Sequence, residues 1–133
     1  MVPALVAEAT RRAGIFWIAV PGQPRAVPAW FVWHEAGYGP AAYVVAGPAE
    51  QPVPGLAEAT ACDVTVPSND KGGAIVTWRA AVRKVEPGGE EWAAVVPGLL
   101  AKRLNLPDQA TAEHRWAQTC TILQLTPTGT ASP

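Results

Sequence analysis

The sequence predicts a mainly β protein, a closed or partly closed six-stranded antiparallel β-barrel with short flanking helices. Three observations predict it. Five segments of strand-like composition follow one another in the first part of the chain, two helical segments come next, and a sixth strand-like segment follows them. The last strand must pair with the earlier ones, because an unpaired strand exposes a row of backbone N–H and C=O groups. Closing the sheet into a barrel gives every strand a neighbour.

The chain opens with a predicted helix over residues 4–13, which are rich in helix-forming Ala. Residues 15–20 are a β-branched and aromatic run, and they end at a turn cluster of Pro and Gly, residues 21–24. The second strand, residues 25–33, is the other arm of this hairpin. Pro28 within it requires an edge position, a bulge, or a backbone nitrogen that points away from the sheet.

Three more strands are predicted after the hairpin. Residues 41–46 form the third strand, and residues 47–55 are too rich in Pro and Gly for regular structure, which favours a functional loop. A short helical turn over residues 56–59 leads into the fourth strand, residues 62–66, whose apolar alternation predicts one buried face. Residues 74–86 form a long fifth strand with neither face fully apolar, which is typical of a strand that reaches an interface or a ligand.

The C-terminal part is predicted to be two helices and a strand. Residues 90–104 carry apolar side chains at helical spacing, although a proline inside can kink or divide this helix. A second helix runs from residue 107 to about residue 118, and residues 119–126 form the last strand. We therefore predict a single domain over residues 1–126, followed by a disordered polar tail, residues 127–133.

Composition excludes several classes of protein. The 133 residues are 49% hydrophobic and 16% charged, which fits one compact domain and excludes a disordered chain. The net charge of −1 gives no bulk positive field, so nucleic acid is not an expected partner. No run reaches the roughly 18 to 20 apolar residues of a membrane span. The first residues lack the pattern of a secretory signal, and a cytoplasmic location is expected.

Few residues are available for hydrolytic or metal chemistry. Cys62 and Cys120 are expected to be reduced, buried and hydrophobic in character, since the cytoplasm keeps thiols reduced. Neither they nor His34 and His114 form a close pair that could start a metal site. With only two serines in the chain, a Ser-His-Asp hydrolase is excluded.

The order of these elements resembles the split-barrel fold of the pyridoxamine phosphate oxidase-like superfamily, whose FMN-binding members give it its other name. The resemblance covers roughly residues 4–126 and depends on a first strand, a G-x-P-R turn, a P-x-W/F-F second strand and an aromatic-aliphatic third strand. A later strand followed by a Trp-containing helix is also similar. The matching residues are 15–20, 21–25, 28–33, 43–46 and 78–85 with Trp92.

The resemblance implies a homodimeric split β-barrel that binds FMN or a deazaflavin coenzyme in clefts between subunits. It also implies an oxidoreductase that transfers a hydride to or from a small molecule. Because the cofactor carries such chemistry, no catalytic triad is expected. The expected contacts of the cofactor ring are Trp30, Val45, Ala46 and Trp78, and those of its phosphate or acid tail are Gly47, Gln51, Lys71 and Arg79.

One departure from the family pattern keeps alternatives open. Glu50 and Gln51 stand where a basic residue usually pairs with the cofactor phosphate, and a dianionic phosphate beside Glu50 would be repelled. Arg25 is a further cation that could take that place. The alternative is a non-catalytic dimer that has lost its flavin site and binds another small ligand. Haem, with His34 or His114 as axial ligand, is a third hypothesis.

The candidate site residues also have structural interpretations. The tryptophans of the strands can be barrel core or dimer interface, where Trp is common. Arg79 can form a salt bridge in place of a ligand contact. The charged residues of the two C-terminal helices are expected to form solvated faces; they are Glu90, Glu91, Lys102, Arg103, Asp108, Glu113 and Arg115.

Overall fold

The structure is a computed structural model that describes residues 4–35, 37, 39–47, 50–67, 76–102 and 111–128. In these residues seven strands form one antiparallel sheet in the order β2-β1-β5-β6-β7-β4-β3. The strands are β1 (Ile15–Ala19), β2 (Val27–Trp30), β3 (Val32–His34), β4 (Ala41–Ala46), β5 (Ala61–Val66), β6 (Val76–Lys84) and β7 (Thr121–Pro127).

The sheet closes into a barrel at Phe31. β2 pairs with β1 at one end of the sheet, β3 pairs with β4 at the other, and Phe31 is the single residue between β2 and β3. The barrel fold is thus confirmed, but the predicted second strand, residues 25–33, is divided in two and the strands number seven instead of six. The division has a physical reason, since this segment must change partners. The buried Phe31 ring stacks on Phe16 at the change, with centroids 4.0 Å apart.

The barrel interior is an apolar cluster formed by the inner faces of the strands, by the N-terminal helix and by the loop between β4 and β5. Helix α1 (Ala4–Arg12) adds Val6 and covers Trp78, whose indole N–H donates to the Thr10 hydroxyl at 3.1 Å. The loop between β4 and β5, which includes a 3₁₀ turn at Leu56–Glu58, adds Val53 and Leu56. The predicted alternation of β5 is confirmed, because its buried residues are Cys62, Val64 and Val66.

A second apolar cluster lies outside the barrel. Helix α2 (Glu90–Lys102) packs on β3 and β4, and helix α3 (Ala112–Thr119) packs on β7. Pro97 lies inside α2 without ending it. No helix in the described part of the chain is long and apolar enough to cross a membrane. The cluster beneath the helices includes Tyr43, Val45, Trp92, Val95, Val96, Leu99, Trp116 and Ile122.

Two predicted boundaries near the C-terminus are corrected. α3 continues to Thr119, so the last strand begins at Thr121 instead of 119. β7 then runs through Pro127, which pairs with β6 and is buried, so the strand extends beyond the predicted end at 126. The predicted start of α3 at Pro107 and most of the predicted tail, residues 129–133, lie outside the described residues.

Candidate functional site

The free edge of β2 faces the loop that follows β4, and we call this gap the split of the barrel. Gln51 in the loop bridges it, since its side-chain oxygen accepts the Trp30 N–H at 2.9 Å and its amide nitrogen donates to the Trp30 C=O at 2.9 Å. Both backbone groups of Trp30 therefore point to the split. The nitrogen of Pro28, two residues earlier in β2, points the same way. Pro28 thus has the edge position that the sequence allowed.

The side chain of Glu50, next to Gln51, points toward the interior of the protein. Its carboxylate accepts the Trp116 indole N–H at 3.0 Å and an Arg115 N–H at 3.0 Å, and its side chain has no exposed surface. The expectation that Glu50 repels an anion in the cleft is wrong for this arrangement, because the carboxylate faces α3 and is paired with a cation. Glu50 holds α3 against the loop.

Gly47, at the end of β4, is required by close packing. A Cβ atom at this position would lie 2.6 Å from the Cys120 Sγ, a distance that side chains do not tolerate. The Gly47 N–H donates to the Gln51 C=O at 3.1 Å, and the Gly47 C=O accepts the Glu50 N–H at 3.2 Å. The backbone N–H is therefore already bonded, although Gly47 was predicted as a phosphate contact. That contact stays a prediction.

A groove of about 390 Å³ lies beside the split. Ala46 and Gly47 from the predicted site contribute to its wall, together with Thr119 at the end of α3 and Thr121 at the start of β7. Glu58 is the charged residue among its described lining residues, and none of them is basic. The described wall of the groove therefore suits an uncharged ring or polyol better than a phosphate. It is lined by Ala46, Gly47, Pro52, Val53, Pro54, Gly55, Ala57, Glu58, Thr119 and Thr121.

The predicted ring contacts are not all brought together. Trp30 is half-buried and packs against the cluster beneath the helices, and Val45 is fully buried in that cluster. Ala46 packs on the other side, against the barrel interior, because successive residues of a strand point to opposite faces. Trp30 and Ala46 therefore keep partly exposed surface near the split, whereas Val45 does not.

Trp78 lies in the barrel interior with no exposed surface, and its N–H is bonded to Thr10. Its ring meets Phe16 and Trp33 edge to face, with centroids 6.3 Å and 6.4 Å apart. These contacts explain Trp78 as a core residue, which is the structural interpretation that the sequence left open. The structure places it apart from the groove.

The three cations considered for the acid tail have different positions. Arg79 is exposed on β6 and forms an ion pair with Asp63 of β5, with the Nε and Oδ1 atoms 3.4 Å apart. Lys71 lies outside the described residues. Arg25 lies in the turn before β2, lines a separate cavity and makes no ion pair or hydrogen bond with another described residue.

A polar network on the outside of the barrel was missed by the sequence analysis. The Tyr43 hydroxyl donates to the Glu91 carboxylate at 2.6 Å and accepts the Gln124 amide at 3.0 Å. Arg83 donates to both Glu91 and Gln124. Burial and the Glu91 carboxylate raise the pKa of Tyr43, so it stays protonated. Polar residues on the fifth and last strands were the available signal, but their pairing required the strand register.

The charged faces of α2 and α3 are less solvated than predicted. Glu91 takes part in the Tyr43 network, and Glu113 accepts the Trp92 indole N–H at 2.8 Å. Arg115 is 23% exposed and pairs with Glu50. Three residues assigned to solvent thus connect the helices to each other and to the barrel.

The histidines and cysteines show no metal-binding arrangement. In the described residues no three His, Cys, Asp or Glu side chains are grouped to hold a metal ion. The His34 ring contacts the Tyr43 ring edge to face, with centroids 6.0 Å apart. Cys62 is a buried free thiol, as predicted, and burial raises its pKa to about 12. Cys120 is free and half-buried.

We call the outer surface of β1, β2, β5 and β6 the open face. Ile15 and Trp17 of β1 are 45% and 40% exposed there. Trp17 stands opposite Pro28 on one side and Thr65 on the other, so apolar and hydroxyl side chains form a row across the strands. The Thr65 hydroxyl is 3.2 Å from that of Thr77. Large exposed apolar side chains in such a row are typical of an interaction surface.

Neither a family model nor a curated protein matches the sequence. Solved structures do match the fold. The haem storage protein HutZ of Vibrio cholerae has a TM-score of 0.66 at 16% identity, covering 96% of this chain and 91% of that one. An FAD-binding protein of Mesorhizobium loti has a TM-score of 0.66 at 14% identity, covering 98% and 91%. The flavocytochrome Anf3 of Azotobacter vinelandii has a TM-score of 0.52 at 13% identity, covering 100% and 71%.

These identities are low, so the matches establish the fold. They cover 96% to 100% of this chain, so they extend over both the barrel and the helices that pack on it. The resemblance drawn from the sequence is confirmed at this level. This chain has the split-barrel fold of the pyridoxamine phosphate oxidase-like proteins.

Proposed function

We propose that this protein is a homodimeric split barrel that binds FMN or a deazaflavin coenzyme beside the split and acts as an oxidoreductase on a small molecule. The observation that carries the proposal is the groove at Ala46 and Gly47, on a fold shared with solved proteins described as FAD-binding and as a flavocytochrome. We place the protein in the cytoplasm, with no nucleic acid or membrane partner.

The cofactor would supply the hydride chemistry. The residues of this chain bind and orient it: Ala46 and Pro52 offer apolar contact, and the hydroxyls of Thr119 and Thr121 offer hydrogen bonds. The volume and the apolar wall of the groove support binding of the ring and polyol there, and none of its described lining residues is a cation that could bind the phosphate. Lys71 and Arg79 remain the proposed partners of the acid tail.

The open face supports the proposed homodimer. Two copies related by a two-fold axis would each cover the partner's Ile15 and Trp17, the large apolar residues that the described chain leaves exposed. A dimer on this face would also bring β2, and with it the split, next to the partner.

The alternative function is a dimeric barrel that has lost its flavin site and binds another small ligand. It is favoured by one observation, namely that both side chains at the usual phosphate position turn inward, Glu50 to α3 and Gln51 to Trp30. The one observation that favours haem is the match to a haem storage protein, and the proposed axial ligand is His34 or His114.

The test is a titration of the purified protein with FMN, the deazaflavin coenzyme and haem, followed by tryptophan quenching and by absorption. We expect micromolar binding of one flavin-type cofactor. Ala57→Trp places a large ring in the groove and should lower the affinity about tenfold or more, whereas Ala117→Trp on the exposed side of α3 should not.

A folded dimer that binds neither flavin-type cofactor would contradict the main proposal and support the alternative. A Soret band that appears on addition of haem and is lost in His34→Ala or His114→Ala would support haem. A folded protein that stays monomeric at all concentrations would contradict the proposed dimer.

A further inference from the structure

A second cavity lies between the β1–β2 turn and the loop after β4. Its volume is about 170 Å³, and five of its seven lining residues are apolar. Ile18 is fully buried and Val20 nearly so, so the inner wall is apolar. The cavity is lined by Ile18, Val20, Gln23, Pro24, Arg25, Val27 and Pro54.

The polar groups of this cavity are Gln23 and Arg25. The Gln23 backbone N–H donates to the Val20 C=O at 3.0 Å and so closes the turn that carries both side chains. Neither side chain makes a hydrogen bond or ion pair with another residue that the structure describes. The exposed Arg25 guanidinium, with no partner among the described residues, thus stands beside an apolar cavity.

We propose that this cavity binds a small monocarboxylate with an unbranched apolar tail. The Arg25 guanidinium would bind the carboxylate, because its planar fork of N–H donors matches the two carboxylate oxygens. The tail would pack against Ile18, Val20 and Val27. A single cation suits a monoanion better than the dianionic phosphate of a nucleotide.

The volume sets the length of the tail. At about 30 Å³ for a group the size of a water molecule, the cavity holds about five or six such groups. Each buried methylene should raise the affinity about fourfold until the cavity is full, after which further carbons should add nothing. We therefore expect an optimum near hexanoate.

This proposal does not depend on the proposed function. Pro54 is the residue that this cavity shares with the groove beside the split, and Arg25 is the one residue considered for the cofactor tail that lines it. Carboxylate binding and cofactor binding are therefore separate measurements, and either can fail while the other succeeds.

The experiment is a titration of the cofactor-free protein with acetate, butanoate, hexanoate, octanoate and the neutral hexanamide. Heat and the shifts of methyl NMR signals are followed. We expect affinity to rise from acetate to hexanoate and then level off, hexanamide to bind at least about tenfold more weakly, and the methyl signals of Ile18, Val20 and Val27 to move.

Two variants and a control locate the site. Arg25→Gln should lower the affinity for hexanoate about tenfold and leave that for hexanamide unchanged. Lys84→Gln removes the same charge from an exposed strand end and should change neither. Val27→Leu adds one methylene to the wall and should move the optimum to a shorter carboxylate.

Three results would overturn the proposal. The first is a folded protein with no methyl shift at millimolar hexanoate, and the second is equal binding of hexanoate and hexanamide. The third is an unchanged hexanoate affinity in Arg25→Gln when methyl signals elsewhere in the protein respond. Loss of affinity in Arg25→Gln with a retained hexanamide signal would support it.

Discussion

The outer surface of the barrel has two halves: helices cover one, and the other is exposed to solvent. Over β3, β4 and β7, which we call the covered face, α2 and α3 bury an apolar cluster, and the hydroxyl of Tyr43 and the indoles of Trp92 and Trp116 each bond a carboxylate. The open face leaves Ile15 and Trp17 in contact with solvent.

The two faces should therefore have different roles: the aromatic residues of the covered face stabilise the fold, whereas those of the open face are available for association. Aromatic side chains on the covered face are anchored at both ends, by apolar packing and by a polar bond, so they contribute to folding. Those on the open face are only half covered by their own chain and can gain burial from a partner. Substitutions of one residue type on the two faces should therefore give different results.

The largest effect is expected from Trp116→Ala on the covered face. Trp116 is fully buried, and its loss would leave a cavity and remove a donor from the buried Glu50 carboxylate. We expect the free energy of unfolding to fall by about 3 to 5 kcal/mol. Urea unfolding measures this value. A loss below about 1 kcal/mol would show that α3 is not part of the cooperative fold.

Tyr43→Phe tests the polar anchor of the covered face. Removing the hydroxyl deletes the hydrogen bonds that it makes with Glu91 and Gln124. The free energy of unfolding should fall by about 1 to 2 kcal/mol at neutral pH. Because the pKa of Tyr43 is raised in the folded state, the stability it provides is present below about pH 10 and is lost as pH rises further.

The pH part of this prediction is checked by melting temperatures of both proteins from pH 7 to alkaline pH. Above about pH 10, the melting temperature of Tyr43→Phe should fall less steeply with pH than that of the parent protein. Cys62, whose pKa is also raised, is present in both proteins and so cancels from the comparison. Identical slopes would mean that the hydroxyl is solvated in solution.

Trp17→Ala is the matched change on the open face. Trp17 is 40% exposed, so the free energy of unfolding of the monomer should fall by about 1 to 2 kcal/mol, less than for the fully buried Trp116. The proposed dimer should dissociate at higher concentration than the parent protein does, which analytical ultracentrifugation measures. A dimer of unchanged strength would place the interface on another surface.

Arg79→Ala should have the smallest effect on stability. The ion pair with Asp63 is exposed on both sides and should contribute no more than about 0.5 kcal/mol. If the predicted contact with the cofactor acid tail is correct, the affinity for that cofactor should fall about tenfold or more. Asp63→Asn removes the same ion pair and should leave the affinity intact.

Local pattern predicted the parts of this fold whose cause is local. The alternation of β5 and the strand from Ala41 to Ala46 follow from neighbouring side chains and agree with the structure. The division of the second strand at Phe31 does not follow from neighbouring side chains, because it arises where the chain changes strand partners to close the barrel.

The candidate site was predictable in position but not in side-chain direction. Ala46 and Gly47 line the expected groove. Glu50 was expected to face the ligand, yet its partners Arg115 and Trp116 lie some 65 residues further along the chain, and no local pattern connects them. The charge of a residue is visible in the sequence, whereas its direction depends on the tertiary packing.

Gln51 also protects the barrel from association at the wrong place. An exposed strand edge is a template on which a foreign strand can add, and edges of this kind seed aggregation. At Trp30 both backbone groups are already occupied by one side-chain amide, and the next outward position is Pro28, which has no N–H to offer. The backbone of β2 is therefore closed to a second copy of this chain at these positions, which leaves the side chains of the open face for the proposed dimer.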